Sequence, residues 1–324
     1  MTNREQLLAV KLAALVRAHH APTKVALQPG EFGGGAALMM NGAAWVLLDD
    51  RPERGLGPAL AWALRQDATE VNILAEHAAG QLARRAVGWT PPVHIWQVND
   101  RALQSAEPEA LPAAIPLARA HAELEPLIRE GGAEPIVEHG VLAGEVDGLE
   151  VCRVVTDAYT DAVRLEVGVG GHDREAFQLL HGDRPTGEAL ADVVRAVREH
   201  RQPGAARHPL NLLAQERALR ARLIAEPGLI GASAVRPIAP PVPRVNVKDA
   251  VPCVAEATIA SQRVTVVCST GVDLDVVPFA VDAMAACTSN ECLIVVPARD
   301  ALDIQHRLAA AAPGSIAITP LGTP

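Results

Sequence analysis

The residues best equipped for chemistry lie between positions 145 and 183. There Glu145, Asp147, Glu150 and Glu166 precede His172, Asp173, Glu175, His181 and Asp183. Leu149, Val151, Arg153 and Val155 alternate with Glu150, Cys152 and Val154, and Leu165, Val167 and Val169 alternate with Arg164, Glu166 and Gly168. Such alternation predicts the two strands of a hairpin. A turn centred on Tyr159 sets Cys152 opposite Glu166 and Glu150 diagonal to it on the same face, within roughly 8 Å. Two carboxylates so placed repel each other, and either a divalent cation or an arginine such as Arg164 relieves the repulsion. Asp147, Glu150 and Glu166 are therefore the candidate ligands of Mg²⁺ or Mn²⁺. His172 and His181 are the candidate general bases for a water that attacks a phosphodiester. The competing reading of the same residues is a half-exposed hairpin with a solvated acidic face.

A second group lies at predicted strand ends. Ser269, Thr270 and Gly271 follow an apolar run, 264–268, and precede a predicted helix over 273–286. Backbone N–H groups at a helix start can hold a small anion or a nucleotide, with Asp273 either part of that site or an ordinary N-cap. Open α/β folds bind ligands at the carboxyl ends of their strands, where Asp49, Asp50, Glu76, Arg299 and Asp300 also fall. Other chemistries lack their signatures. Gly33 to Gly35 lead into another strand instead of opening a helix, and neither a Walker motif nor a GxSxG elbow is present. The five cysteines form no CxxC pair, which predicts buried reduced thiols and no zinc site.

The elements that must carry these residues fall into two similar ends around a different middle. Strands over 44–48, 71–75 and 93–98 alternate with helices over 55–66 and 77–88. The C-terminal end repeats the order, with strands over 264–268, 292–296 and 315–319 and helices over 273–286 and 301–312. Strand starts are 27 and 22 positions apart in the first and 28 and 23 in the second, which suggests a structural pseudo-repeat. Strand–helix alternation implies parallel sheets with right-handed crossovers. Between the ends come strands over 136–142, 149–155 and 163–169, then helices over 172–181, 186–201 and 210–225. The predicted class is α/β, two Rossmann-like βαβαβ units flanking an α+β middle block. The expected divisions are an N-terminal α/β unit over 1–105, a Pro-rich connector with a helix over 106–135, the middle block over 136–226, a Pro-rich linker over 227–243 and a C-terminal α/β unit over 244–324.

The carboxylate-rich hairpin feeding a helix resembles, in part, the restriction-endonuclease-like nucleases, whose pattern is an acid followed by (Asp/Glu)-x-Lys on an adjacent strand. Asp147 and Glu166 stand 19 apart, but Gly168 occupies the lysine position. The resemblance thus implies a degenerate or unorthodox metal-dependent phosphodiesterase. The phrases GLEVCRVV (148–155) and RLEVGVGGHDREAF (164–177) resemble an uncharacterised actinobacterial protein family over most of the chain. That resemblance implies a high-GC bacterial origin and no particular activity.

Composition bounds the rest. The 324 residues are 49% apolar, which supplies buried cores and excludes a largely disordered chain. Lys plus Arg total 29 against 38 Asp plus Glu, a formal charge of −9. This argues against non-specific tracking along nucleic acid, while a local basic groove stays open. Leu8, Leu12, Leu15 and Val16 share a helical face interrupted by charges, unlike a signal peptide, and no apolar run approaches the ~18 residues of a membrane span. The expected setting is cytoplasmic, with no membrane partner. A non-enzymatic regulatory or assembly protein, homo-oligomeric or not, that binds a small anionic ligand at the strand tips is the alternative function.

Overall fold

The computed structural model describes residues 3–20, 26–181, 185–202, 204–206, 208–243 and 251–322. The chain divides into two compact units. The first comprises residues up to Leu111 with 272–294 and 300–318, and the second comprises 112–271, 295–299 and the residues from 319 on.

In the first unit, α1 (Asn3–His19) precedes β1 (Gln28–Gly30), β2 (Gly35–Met40) and β3 (Ala43–Leu48). Then come α2 (Leu56–Arg65), β4 (Glu70–Ala75), α3 (Ala79–Arg85), β5 (Val93–Asn99) and β6 (Ala102–Ser105). The six strands form one sheet in sequence order. β3, β4 and β5 pair parallel, whereas β1–β2, β2–β3 and β5–β6 are antiparallel. Leu12, Leu15 and Val16 of α1 are buried against Leu38, Met40, Trp45, Leu47, Leu74 and Val98. Val46, Ile73 and Ile95, also buried, point to the opposite face, as strand alternation requires. Strands buried on both faces read as unbroken apolar runs, which is why AAWVLL and EVNILA were legible as strands. The run 24–28 also reads as a strand from its sequence, and its first two residues lie outside the described ones.

The second unit opens with α4 (Arg119–Ala122) and α5 (Glu125–Glu130), followed by β7 (Glu134–Glu138), β8 (Val141–Val146), β9 (Leu149–Thr156) and β10 (Val163–Val167). These four strands form an antiparallel sheet in the order β10-β9-β8-β7. The single strand expected over 136–142 is instead the hairpin β7–β8. His139 and Gly140 take left-handed φ of 50° and 74°, as a two-residue hairpin turn demands. One face packs Leu142, Val146, Cys152, Val154, Leu165 and Val167 with Ile128, Leu190, Val194 and Val197 of the helices. Those helices continue with α6 (Gly171–His181), α7 (Thr186–Arg201) and α8 (Gln215–Ala225). Thr186 is the first helical residue of α7, and Pro185 holds the cap position.

The Pro-rich stretch 227–243 is more than a linker. It contains β11 (Ala234–Ile238), which pairs antiparallel with β12 (Cys253–Ile259), itself antiparallel to β13 (Gln262–Cys268). α9 (Val276–Cys287), β14 (Glu291–Pro297), α10 (Asp303–Ala311) and β15 (Ser315–Leu321) complete the chain. The third sheet follows the order β11-β12-β13-β14-β15. The architecture is a mixed α/β fold with three sheets. β3, β4 and β5 pair parallel, while the strands that flank them and the whole β7–β10 sheet pair antiparallel. β1, β7, β11 and β15, each at a sheet edge, contain Pro29, Pro135, Pro237 and Pro320.

Candidate functional site

The hairpin that carries the candidate metal ligands differs in register from the expectation. Glu166 pairs with Arg153 and Val167 with Cys152, so Cys152 does not face Glu166. A one-residue slip turns every side chain to the other face and by itself would separate Glu150 from Glu166. A second irregularity restores the match. Gly144 pairs with Cys152 but Glu145 pairs with Glu150, leaving Val151 as an extra residue on β9. This bulge returns Glu150 to the face of Arg153 and Glu166.

Arginines occupy the space between these carboxylates. Arg153 grips Glu150 with two bonds, Nε to Oε1 at 2.9 Å and Nη2 to Oε2 at 2.8 Å. Arg174 of α6 donates to Glu150 at 2.9 Å and lies 3.7 Å from Glu166. Arg164 holds Glu166 at 2.9 Å and Asp157 at 2.5 Å. On the same face Arg217 of α8 pairs with both Glu138 and Glu145, and Arg220 repeats the pairing at 2.6 and 3.4 Å. Glu150 is only 2% exposed. Burial pushes its carboxyl up, yet the hydrogen bond from Arg153 and the charges of Arg153, Arg174 and Arg217 outweigh that and hold it below the usual carboxylate range.

These residues do not fit a divalent cation. Asp147 is exposed at the β8–β9 turn with a left-handed φ of 47°, beside Gly148 at 78°, the geometry of an Asp-Gly hairpin turn. A Cβ at Gly148 would meet the backbone of Arg217 at 2.2 Å, so the turn serves packing. Among the described residues no group of three or more His, Cys, Asp or Glu side chains could hold a metal ion. His172 stands fully exposed at the start of α6, 3.9 Å from Glu175, and therefore does not reach the carboxylates as a base. His181 ends α6, and its side chain lies outside the described residues. The five cysteines are in no disulfide, and burial pushes the Cys152 thiol up to about 12.

The strand-end residues are also rearranged. α9 starts at Val276, three residues later than expected, so Ser269, Thr270 and Gly271 do not form its first turn. Asp273 is not the N-cap of α9, a position held by Asp275. It accepts from the Asp275 backbone N–H at 3.0 Å and pairs with Arg54 at 2.7 Å, all within the first unit. Ser269 is buried and donates its backbone N–H to Val295 O at 3.1 Å. Gly271 has a φ of 73° with open space around it.

Thr270 lines a pocket that lies wholly in the second unit and has a volume of about 220 Å³. α8 supplies Gln215, Ala218, Leu219 and Arg222, positions i, i+3, i+4 and i+7 on one helical face. Arg299 and Pro297 follow from the end of β14, and Leu321 ends β15. Arg222 donates one Nη1 bond to Gly322 O at 2.8 Å, while its Nε is buried without a hydrogen-bond partner among the described residues. Behind the wall, the Thr270 hydroxyl donates to Oε1 of the buried Glu216 at 2.6 Å. Arg222 and Glu216 escaped the sequence reading because the pocket-lining stripe of α8 looks like any charged helix. The signal was the 3.6-residue spacing of Gln215, Leu219 and Arg222 opposite a strand end.

Comparison with protein-family models, curated proteins and solved structures returned no match. Among the described residues no helix is long and apolar enough to cross a membrane.

Proposed function

We propose that this is a cytoplasmic regulatory or assembly protein that binds a small anionic ligand in the pocket at the ends of β13, β14 and β15. In this reading the segment from β13 to β15 acts as a Rossmann-like unit that presents its ligand at the strand tips. The observation that carries it is a pocket lined by Arg222 and Arg299, with the Arg222 Nε lacking a hydrogen-bond partner among the described residues. A buried donor left unpaired is costly, and an anion is the partner that relieves it best. At about 220 Å³ the pocket falls below the ~300–1,000 Å³ of drug-sized sites, so the ligand is a small acid and not a whole nucleotide. Metal-dependent phosphodiester cleavage is the weaker reading, because arginines already neutralise the hairpin carboxylates.

Thermal unfolding of the full chain with inorganic phosphate or isovalerate tests the proposal. A ligand at a hundred times its Kd adds about 2.7 kcal/mol to native stability, and the unfolding midpoint should rise by several degrees. The rise should shrink in Arg222→Gln and in Arg299→Gln. No rise with either anion, or a rise unaltered by both substitutions, overturns the reading.

A further inference from the structure

We infer that Cys253 and Cys268 form an oxidisable pair, which a hydroperoxide closes into a reversible disulfide across the open end of the β12–β13 hairpin. Both residues belong to the second unit, and neither is in a disulfide. Their register carries the inference. Cys253 is the first residue of β12 and Cys268 the last of β13, and they are direct partners in the antiparallel ladder. Direct partners point to one face of the sheet, with Cα atoms about 4.5–5.5 Å apart. A disulfide spans Cα separations of about 4.4–6.8 Å, so the register alone sets the two backbones at the separation it requires. Packing does not by itself call for two sulfurs there. The buried partners along the same ladder are Val254 with Val267, Ala255 with Val266 and Ala257 with Val264. Cys152, on another sheet, stands opposite Gly144 and Val167 instead of a second cysteine.

The surroundings favour reaction at this strand end. Cys253 donates its S–H to the Glu216 backbone carbonyl at 3.1 Å. Arg220, which also holds Glu138 and Glu145, donates to Val254 O at 3.3 Å and so brings a guanidinium to the first residues of β12. Positive charge beside a cysteine favours the thiolate, the form that attacks. The two cysteines are 3% and 0% exposed, and fraying of strand ends is the route by which a small oxidant reaches them. With hydrogen peroxide, one thiolate attacks a peroxide oxygen and the O–O bond breaks, leaving a sulfenic acid and a hydroxide that takes up the thiol proton as water. The second thiol then attacks that sulfur. The S–S bond forms, the S–O bond breaks and a second water leaves, so each sulfur gives up one electron and the peroxide takes both. A thiol reductant reverses the bond by exchange.

The test treats the folded full-length chain with hydrogen peroxide, blocks the remaining thiols by alkylation, and maps cysteine pairing by mass spectrometry of proteolytic peptides with and without dithiothreitol. The expected result is a Cys253–Cys268 peptide pair as the dominant linkage, lost on reduction. The same treatment in urea should scramble pairing among all five cysteines, because the register is gone. Cys268→Ser should abolish the linkage and open Cys253 to trapping by dimedone as the sulfenic acid. The wild-type map decides the matter alone if the serine variant does not fold. No linkage in the folded chain, preferred linkage of either residue to another cysteine, or the same mixture folded and in urea overturns the proposal.

Discussion

Each compact unit buries a carboxylate among arginines, and the two cases differ in how many guanidiniums each carboxylate touches. In the first unit Arg85, 2% exposed, bridges Asp275 at 3.1 Å and Asp282 at 2.6 Å. Arg84 adds a second grip on Asp282 at 2.9 and 3.1 Å. Asp275 contacts one guanidinium and the backbone N–H of Gly57 at 3.2 Å. In the second unit Glu150 contacts two guanidiniums, one of them bidentate. The consequence is opposite titration. Burial, with Asp273 nearby, lifts Asp275 to about 7 against the pull of Arg85, while the arginines win at Glu150 and hold it below its ordinary value. Redundant pairing therefore decides whether a buried acid stays charged.

The largest test of this contrast removes one arginine from each cluster. Arg85→Met leaves Asp275 buried without the guanidinium it touches and should cost about 3–5 kcal/mol in urea unfolding. Arg174→Met leaves the bidentate Arg153 on Glu150 and should cost only about 1.5 kcal/mol. Equal losses would break the redundancy argument.

A smaller effect is expected in the pH dependence of stability, with opposite signs. Because Asp275 is raised, the folded state holds more protons than the unfolded chain between the ordinary aspartate range and about pH 7. Its contribution is full below that range and declines as pH rises toward 7. Glu150 is depressed, so its contribution is present above the ordinary glutamate range and disappears as pH falls through the lowered value. Urea midpoints from about pH 3 to 8 should show Asp275→Asn flattening the decline toward neutrality and Glu150→Gln flattening the acid limb. The reverse assignment would refute the comparison. The smallest expected effect is none. With Glu150 and Glu166 held by arginine, millimolar Mg²⁺ or Mn²⁺ should leave the melting temperature of the wild type unchanged, and a saturable rise lost in Glu166→Gln would restore the metal reading.

How far the sequence could be read depended on whether a feature was written in apolar periodicity or in turn geometry. The runs Ala43–Leu48, Glu70–Ala75 and Glu291–Pro297 stood out because strands lined with valine, leucine and isoleucine have few alternatives. β11 did not, since prolines in RPIAPPVP read as punctuation, and only pairing with β12 makes Ala234–Ile238 a strand. The hairpin register failed for a local reason. Thr156 pairs with Val163, so the loop holds six residues and its centre lies between Tyr159 and Thr160 rather than on Tyr159. Asp157 sets that loop by accepting from the Tyr159 and Thr160 backbone N–H groups at 3.0 Å. The bulge at Val151 has no marker in sequence spacing at all. The expected neighbourhood of Glu150 and Glu166 was thus reached through two displacements that cancel; of their partners Arg164 was legible on the hairpin, while the grip of Arg153 depends on the bulge and that of Arg174 on how α6 folds back over the strands. At the other site Thr270 was visible as a strand-end residue, but the face of α8 that completes the pocket depends on how a helix is laid against a sheet.

The edge prolines bear on what the molecule does in company. An open sheet edge exposes a row of unsatisfied amides and carbonyls, which is the template on which a stray strand, or a second misfolded copy, can grow. Pro29, Pro135, Pro237 and Pro320 each delete one donor from such a row, so a newcomer at those borders meets a gap in the ladder it tries to extend. In a chain that is 49% apolar and spreads its strands over three sheets, four of the six sheet borders among the described residues thus offer an interrupted ladder to any strand that would pair with them.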